Sequence, residues 1–186
     1  FIMHNKSAEF NAGLELLNIL TDGTVHLQIR KNSDEVFSNA KNVKTHFVKG
    51  PHPSGNVGVQ MHEIDPINKG EVVWYINPQD VMILGRYSLT GAYDAKKVIC
   101  IGGENVNSPK YVKTISGSSI KSILEGTEIT ENSRLISGNP LTGQKLEKDS
   151  FLGFYHHQLT VLPEGNEYKF FLSEGWLSLG FNRFSA

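Results

Sequence analysis

Val72-Val73-Trp74-Tyr75-Ile76-Asn77-Pro78-Gln79-Asp80-Val81 holds the sharpest change of pattern in the chain. Its first five residues, apolar without alternation, read as a fully buried strand. Asn77 then stands where a helix cap belongs, Pro78 suits the first helical position, and Asp80 puts negative charge in the first turn. Val81, Ile83, Leu84 and Tyr87 give the helix an apolar surface, and Gly91 can take the left-handed conformation just past its end. A buried strand running straight into a capped helix is the repeating step of an α/β sheet.

Similar steps lie on either side. Upstream, Ser7 can cap a helix whose Phe10, Leu14, Leu17 and Leu20 recur at helical spacing, and Thr21-Asp22-Gly23 ends it. Val25, Leu27 and Ile29 alternate with His26, Gln28 and Arg30 as in a half-buried strand. A short helix at Val36-Phe37 and a strand at Val43–Val48 follow. Downstream, Lys97-Val98-Ile99-Cys100-Ile101-Gly102-Gly103 is another buried strand. From residue 6 to about 103 the order is helix, strand, short helix, strand, loop, strand, helix, strand, which predicts an α/β sheet, parallel at least in part.

The rhythm breaks at Asn107-Ser108-Pro109. Tyr111–Ile115 reads as a strand, and Gly117-Ser118 caps a short helix with Ile120, Ile123 and Leu124 on its buried stripe and Gly126 at its end. Ser133–Ser137 is a further strand, and Phe154–Leu162 alternates like one more, with His156 and His157 on opposite faces. Strands around one short helix predict a small α+β module, grasp-like in topology. The expected organisation is an α/β domain over 1–109, the module over 110–165, and an aromatic-rich tail over 166–186. That tail carries Phe170, Phe171, Trp176, Phe181 and Phe184; it reads either as core-filling for the second module or, the reading favoured, as a surface that packs against an absent domain or subunit.

Composition bounds the function. Of 186 residues, 39% are hydrophobic and 20% charged, and the formal net charge is −1. That balance argues against coating nucleic acid by counterion release. No apolar run reaches the roughly 18 residues of a membrane-spanning helix. A single cysteine, Cys100, excludes an intramolecular disulfide framework and any metal or iron–sulfur site built from several thiolates. The composition is that of a globular cytosolic chain. A start at Phe1, without a targeting pattern and almost directly inside a helix, is expected of a fragment of a longer protein.

Gly50-Pro51-His52-Pro53-Ser54-Gly55-Asn56-Val57-Gly58 is the candidate ligand loop. Glycines after a strand let backbone approach an anion, and a following helix adds its dipole. The spacing matches neither the dinucleotide fingerprint nor the P-loop, so a loop that merely shapes a strand-to-helix crossing remains open beside it. The candidate ligand residues are Gly50, His52, Ser54, Gly55, Gly58 and His62. A metal site at His52, His62 and Glu63 is a third reading, although none of these spacings is that of a known zinc motif. Cys100 lies within an apolar strand, where a thiol is inert, and no Ser–His–Asp elbow is present, so no catalytic residue is assigned.

Four segments together resemble one family. They are Gly50–Gly58; Val73-Trp74-Tyr75-Ile76-Asn77-Pro78-Gln79-Asp80-Val81; Leu135-Ile136-Ser137-Gly138 with Leu141-Thr142-Gly143; and Gly153-Phe154-Tyr155-His156-His157-Gln158-Leu159-Thr160-Val161-Leu162-Pro163-Glu164-Gly165. Their order and separation are similar to those of the A subunit of the bacterial sodium-translocating NADH:quinone reductase, over nearly the whole chain. The resemblance implies a Rossmann-like domain related to the FMN-binding subunit of respiratory complex I, then a β-grasp, soluble-ligand-binding-like (SLBB) module. It also implies an N-terminal biotinyl/lipoyl-like domain and a C-terminal domain outside this chain.

By the same resemblance, the chain is a peripheral piece on the cytoplasmic side of the bacterial inner membrane. It would lack a redox centre of its own, dock on other subunits, membrane subunits included, and contribute to a quinone-access path. NADH, the flavins, an iron–sulfur centre and ubiquinone would belong to the whole complex, an NADH:ubiquinone reductase that exports sodium, and the fragment alone would be inactive. The alternative is a module that binds a flavin or another phosphorylated ligand on Gly50–Gly58.

Overall fold

The computed structural model describes residues 2–166. The aromatic tail lies outside the described residues, apart from Asn166. The chain divides into two compact units, Phe1–Ala95 and Lys96–Ala186. The boundary therefore falls before the strand at Lys96–Gly102, not near Pro109. Periodicity marks that strand as buried but does not say whose neighbours bury it, and its hydrogen bonds go to strands of the second unit.

In the first unit, α1 (Ser7–Leu20), β1 (His26–Ile29), α2 (Glu35–Ser38) and β2 (Lys44–Phe47) follow in the expected order; then come a helix absent from that order, α3 (Val57–Ile64), and the expected α4 (Pro78–Thr90). The β1 and β2 strands pair in parallel, with His26 opposite Lys44 and Ile29 opposite Phe47. Two parallel strands cannot be joined by a tight turn, and α2 supplies the crossover. Asp34 caps α2, accepting from the Val36 N–H at 3.1 Å. Ser7 does not cap α1; Lys6 holds that position without a side-chain hydrogen bond. At α4, Asn77 is the cap residue in extended conformation, Pro78 begins the helix, and Gly91 ends it at φ 69°.

The core of this unit joins Phe10 and Leu14 of α1, Val36 of α2, and Val81 and Met82 of α4, with Val25, Leu27 and Val43 packed against them. Phe10 meets Phe37 edge to face, ring centroids 5.3 Å apart. Glycines set how closely α1 and α4 cross. A Cβ on Gly85 would run into the Glu9 carbonyl, and one on Gly13 into the Val81 carbonyl.

One expectation fails. Val72–Ile76 belongs to no helix or strand, and Trp74 is 89% exposed. An apolar run becomes a buried strand only where neighbours take up its backbone groups and cover both faces. Among the described residues the sheet of this unit has only β1 and β2. A second difference is that Gly58 lies inside α3, so the glycine loop ends at Asn56.

The second unit is a five-stranded sheet in the order β4 (Lys110–Ile115), β3 (Lys96–Gly102), β7 (Gln158–Pro163), β5 (Ser133–Ser137), β6 (Gln144–Leu146). The central pair, β3 and β7, is parallel; the other pairs are antiparallel. With the helix α5 (Ile120–Leu124), this is a β-grasp arrangement, as the alternation of strands around one helix predicts. Ile120 and Ile123 of α5 pack on Ile99, Ile101, Leu135, Leu159 and Val161 of the sheet. Ser119, one residue beyond the expected Gly117-Ser118 pair, caps α5 by accepting from the Ser122 N–H. Residues 154–157, expected within the last strand, form a turn and loop before β7.

Replacing Gly85 by Ala should destabilise the first unit by at least about 1–3 kcal/mol, because carbonyl backbone rather than a movable side chain fills the space. The urea midpoint of this variant against that of Leu89→Ala, an exposed position on the same helix, measures the effect.

Candidate functional site

The residues of the expected ligand loop are only partly brought together. After Gly50, two turns run to Asn56, where α3 begins. The Ser54 hydroxyl donates to the Gly50 carbonyl at 3.0 Å, and the Gln60 side-chain amide donates to the Ser54 carbonyl at 2.9 Å. The loop is thus tied back on itself and onto the helix. His52, Gly55, Gly58, His62 and Glu63 all face solvent. Among the described residues no three His, Cys, Asp or Glu side chains converge as metal ligands.

Two histidine sites emerge that no motif in the sequence marks. His26 and His46 stack across β1 and β2, rings 5° from parallel, with Nδ1 of His26 and Nε2 of His46 3.0 Å apart. The contact requires one donor and one acceptor, so at least one of the two facing nitrogens carries no proton. Burial first, then the charges of His26 and Lys44, hold the His46 imidazole below its ordinary pKa.

The second is a polar knot inside the second unit. Ser137, 1% exposed at the end of β5, accepts from the Gly153 N–H at 2.9 Å and shares a hydrogen bond of 2.5 Å with Nδ1 of His156. Lys97 of β3 is only 3% exposed and donates through Nζ to the Phe154 carbonyl at 2.8 Å, with the His156 carbonyl 3.5 Å away. Burial, then the Lys97 charge, then His157, pushes the His156 pKa down. A neutral imidazole accepting from the serine hydroxyl is the form that fits.

A serine this buried cannot reach a substrate as a nucleophile. What the knot does is pin the 153–157 segment to the sheet. The segment displays Phe154 and Tyr155, both exposed, with ring centroids 5.1 Å apart at an interplanar angle of 81°. The signal for Lys97 and Ser137 was alternation. Lys97 shares the parity of Ile99 and Ile101, and Ser137 that of Leu135, so each falls on the covered face. Their partner His156 arrives from a loop, and no periodicity announces that meeting.

Removing either side of the knot has a pH signature. The folded state holds His156 neutral, so unfolded chain takes up a proton more readily as pH falls below about 6.5. The stabilisation is present above that value and is lost as pH drops toward the lower folded value. The carboxylates held low by hydrogen bonds, Asp34 by Val36, Asp149 by Lys121 and Glu164 by Lys145, lose theirs only near and below the carboxylate range. His156→Gln should therefore reduce the change in urea midpoint between about pH 7.5 and about pH 5.5, leaving the part that the depressed His46 contributes. Ser137→Ala, which strands the Gly153 N–H, should cost about 1–3 kcal/mol at the higher pH.

Comparison with known families follows the same two parts. Residues 1–93 match the family described as the NqrA second alpha/beta domain, and residues 98–148 match the family described as the NQRA C-terminal domain. The chain is 38% identical over all its 186 residues to the A subunit of the Na(+)-translocating NADH-quinone reductase of Vibrio atlanticus, covering 41% of that protein. It is 37% identical over its full length to the same subunit of Vibrio alginolyticus, again covering 41% of it. Over 95% of the chain it is 35% identical to the corresponding subunit of Neisseria meningitidis serogroup B, covering 39% of it. The chain thus spans about two fifths of the length of the curated relatives it matches. On the match of its first unit and the identity along the rest, this chain belongs to the NqrA family.

Proposed function

We propose that this chain is a non-redox portion of the A subunit of a sodium-translocating NADH:quinone reductase, serving docking and assembly of the complex. The observation that carries the reading is identity to that subunit running through both units rather than through one motif. Its place is peripheral, on the cytoplasmic side of the inner membrane, with the remaining subunits, membrane subunits included, as partners. No helix among the described residues is long and apolar enough to cross a membrane, which is compatible with that place.

The electron carriers are assigned to other subunits. An iron–sulfur centre needs several thiolates, and the sequence holds Cys100 alone. On this reading NADH, flavins and ubiquinone belong to the assembled enzyme. The first unit is read as a Rossmann-like relative of the complex I FMN-binding subunit, on the strength of the parallel β1–α2–β2 crossover. Any contribution to the quinone path falls to the segment after β2, with Gly50, His52, Ser54, Gly55, Gly58 and His62 as the residues to vary, because ligands of α/β sheets gather at the carboxyl ends of strands.

The second reading, a flavin or phosphate ligand on the same loop, has one observation in its favour: α3 starts directly after the loop with no side-chain cap on its first N–H groups. The two separate cleanly. Under the docking reading, the purified chain shows no flavin absorbance and no NADH:quinone turnover. A full-length NqrA carrying this sequence restores sodium-dependent turnover to membranes that lack their own. Turnover by the chain alone, or failure to assemble in the restored membranes, overturns it.

A further inference from the structure

We infer that Nδ1 of His26 and Nε2 of His46 chelate a divalent transition-metal ion, copper by preference, and that the bound ion clips β1 to β2. The two nitrogens stand 3.0 Å apart. An imidazole nitrogen binds such an ion at about 2.0–2.1 Å. Two neighbouring ligands then lie about 2.9 Å apart at a right angle and about 3.3 Å apart at the tetrahedral angle. The observed separation falls inside that window, and small turns of the rings aim both lone pairs at one ion.

The strands hold the pair in place. His26 lies opposite Lys44 and Gln28 opposite His46, so the two histidines sit diagonally across a parallel ladder with their side chains on one face. Leu27, of the opposite parity, packs against the apolar cluster of the unit. The imidazoles therefore lie on the face turned away from that cluster. Both are half-buried, so an ion with its waters can reach them.

The contact already supplies the chemistry of a ligand pair. One of the facing nitrogens carries no proton, because a bond of this kind has one donor and one acceptor. The donor ring frees its nitrogen by passing the proton, through water, to its other nitrogen, so both imidazoles ligate in the neutral form. One N–H···N hydrogen bond is exchanged for two metal–nitrogen bonds, and water completes the coordination. No third His, Cys, Asp or Glu converges on the pair among the described residues. Lys44, exposed on the same face, adds a positive charge that acts on His46. Two ligands beside an ammonium favour the divalent ion that imidazole binds most strongly, and the Irving–Williams order places copper above nickel and zinc. The ligands are 20 residues apart, so unfolded chain does not preform the chelate and binding adds to the stability of the first unit. The inference uses the first unit alone and stands or falls independently of the assembly role.

Titration of the full chain with Cu2+ near neutral pH, read by calorimetry and electron paramagnetic resonance, tests it. The bound ion should show nitrogen coupling in its resonance and should raise the urea midpoint. His26→Gln and His46→Gln should each weaken binding by at least about tenfold and abolish the rise in midpoint. Unchanged affinity in either variant overturns the chelate, since other histidines of the chain then hold the ion. Binding to the parent chain without a rise in midpoint overturns the clip between strands. Lys44→Gln keeps both imidazoles and decides the matter should either histidine variant fail to fold. It should tighten binding by removing a like charge; affinity equal to or below that of the parent overturns the site.

Discussion

The parallel pairing of β3 with β7 is the constraint from which the second unit follows. It lays Cys100–Gly102 alongside Gln158–Thr160, residues that no tight turn can join. Everything between them, β4, α5, β5 and β6, has to be housed in the connection. Antiparallel partners then line up outward on either side, and α5 is left to cover the one face where Ile99, Ile101, Leu159 and Val161 collect. Lys97 and Ser137 lie on that covered side near the polar end of the core, and their hydrogen bonds to 153–156 tie down the chain as it enters β7. The polar knot is thus a consequence of the topology, and its neutral histidine a consequence of being buried beside a cation.

The first unit rests on a different contact. Its helices α1 and α4 come close enough for backbone to meet backbone, which only glycine at positions 13 and 85 permits. That crossing carries Phe10, Leu14, Val81 and Met82 into one cluster and places the helices over β1 and β2. The sheet beneath is narrow. Two parallel strands alone offer little area to bury, and the apolar run before α4 is where the unit's remaining hydrophobic potential lies.

Val72–Ile76 and Val98–Ile101 look alike as sequences, and their environments differ. Both are apolar runs without alternation. The second has hydrogen-bonded neighbours on both edges and a helix on one face; the first has neither in this structure. The same asymmetry explains the displaced domain boundary, since a break in composition at Pro109 says nothing about which strands a preceding segment pairs with. Punctuation was legible where its cause is local: Asn77-Pro78 and Gly91 around α4, Gly126 after α5, and Ser133–Ser137 as a strand. The caps expected at Ser7 and Gly117-Ser118 lie a residue or so away because several nearby residues can serve and the packing of the helix chooses among them.

By itself the sequence determined the order of the first four elements, the position of α4, the change from helix-and-strand alternation to a grasp-like module, the want of thiolates for a cluster, and the family, whose motifs are contiguous stretches. Those depend on periodicity, turn chemistry and composition, all properties of neighbours along the chain. Only the tertiary structure decided that β3 belongs to the second unit, that His156 closes on Ser137 beside Lys97, and that His26 stacks on His46. It also decided that the expected ligand loop turns its histidines to solvent and leaves Val72–Ile76 uncovered. Each of these is set by residues distant in sequence, and a strand or a buried polar group has no fixed energy until its partners across space are known.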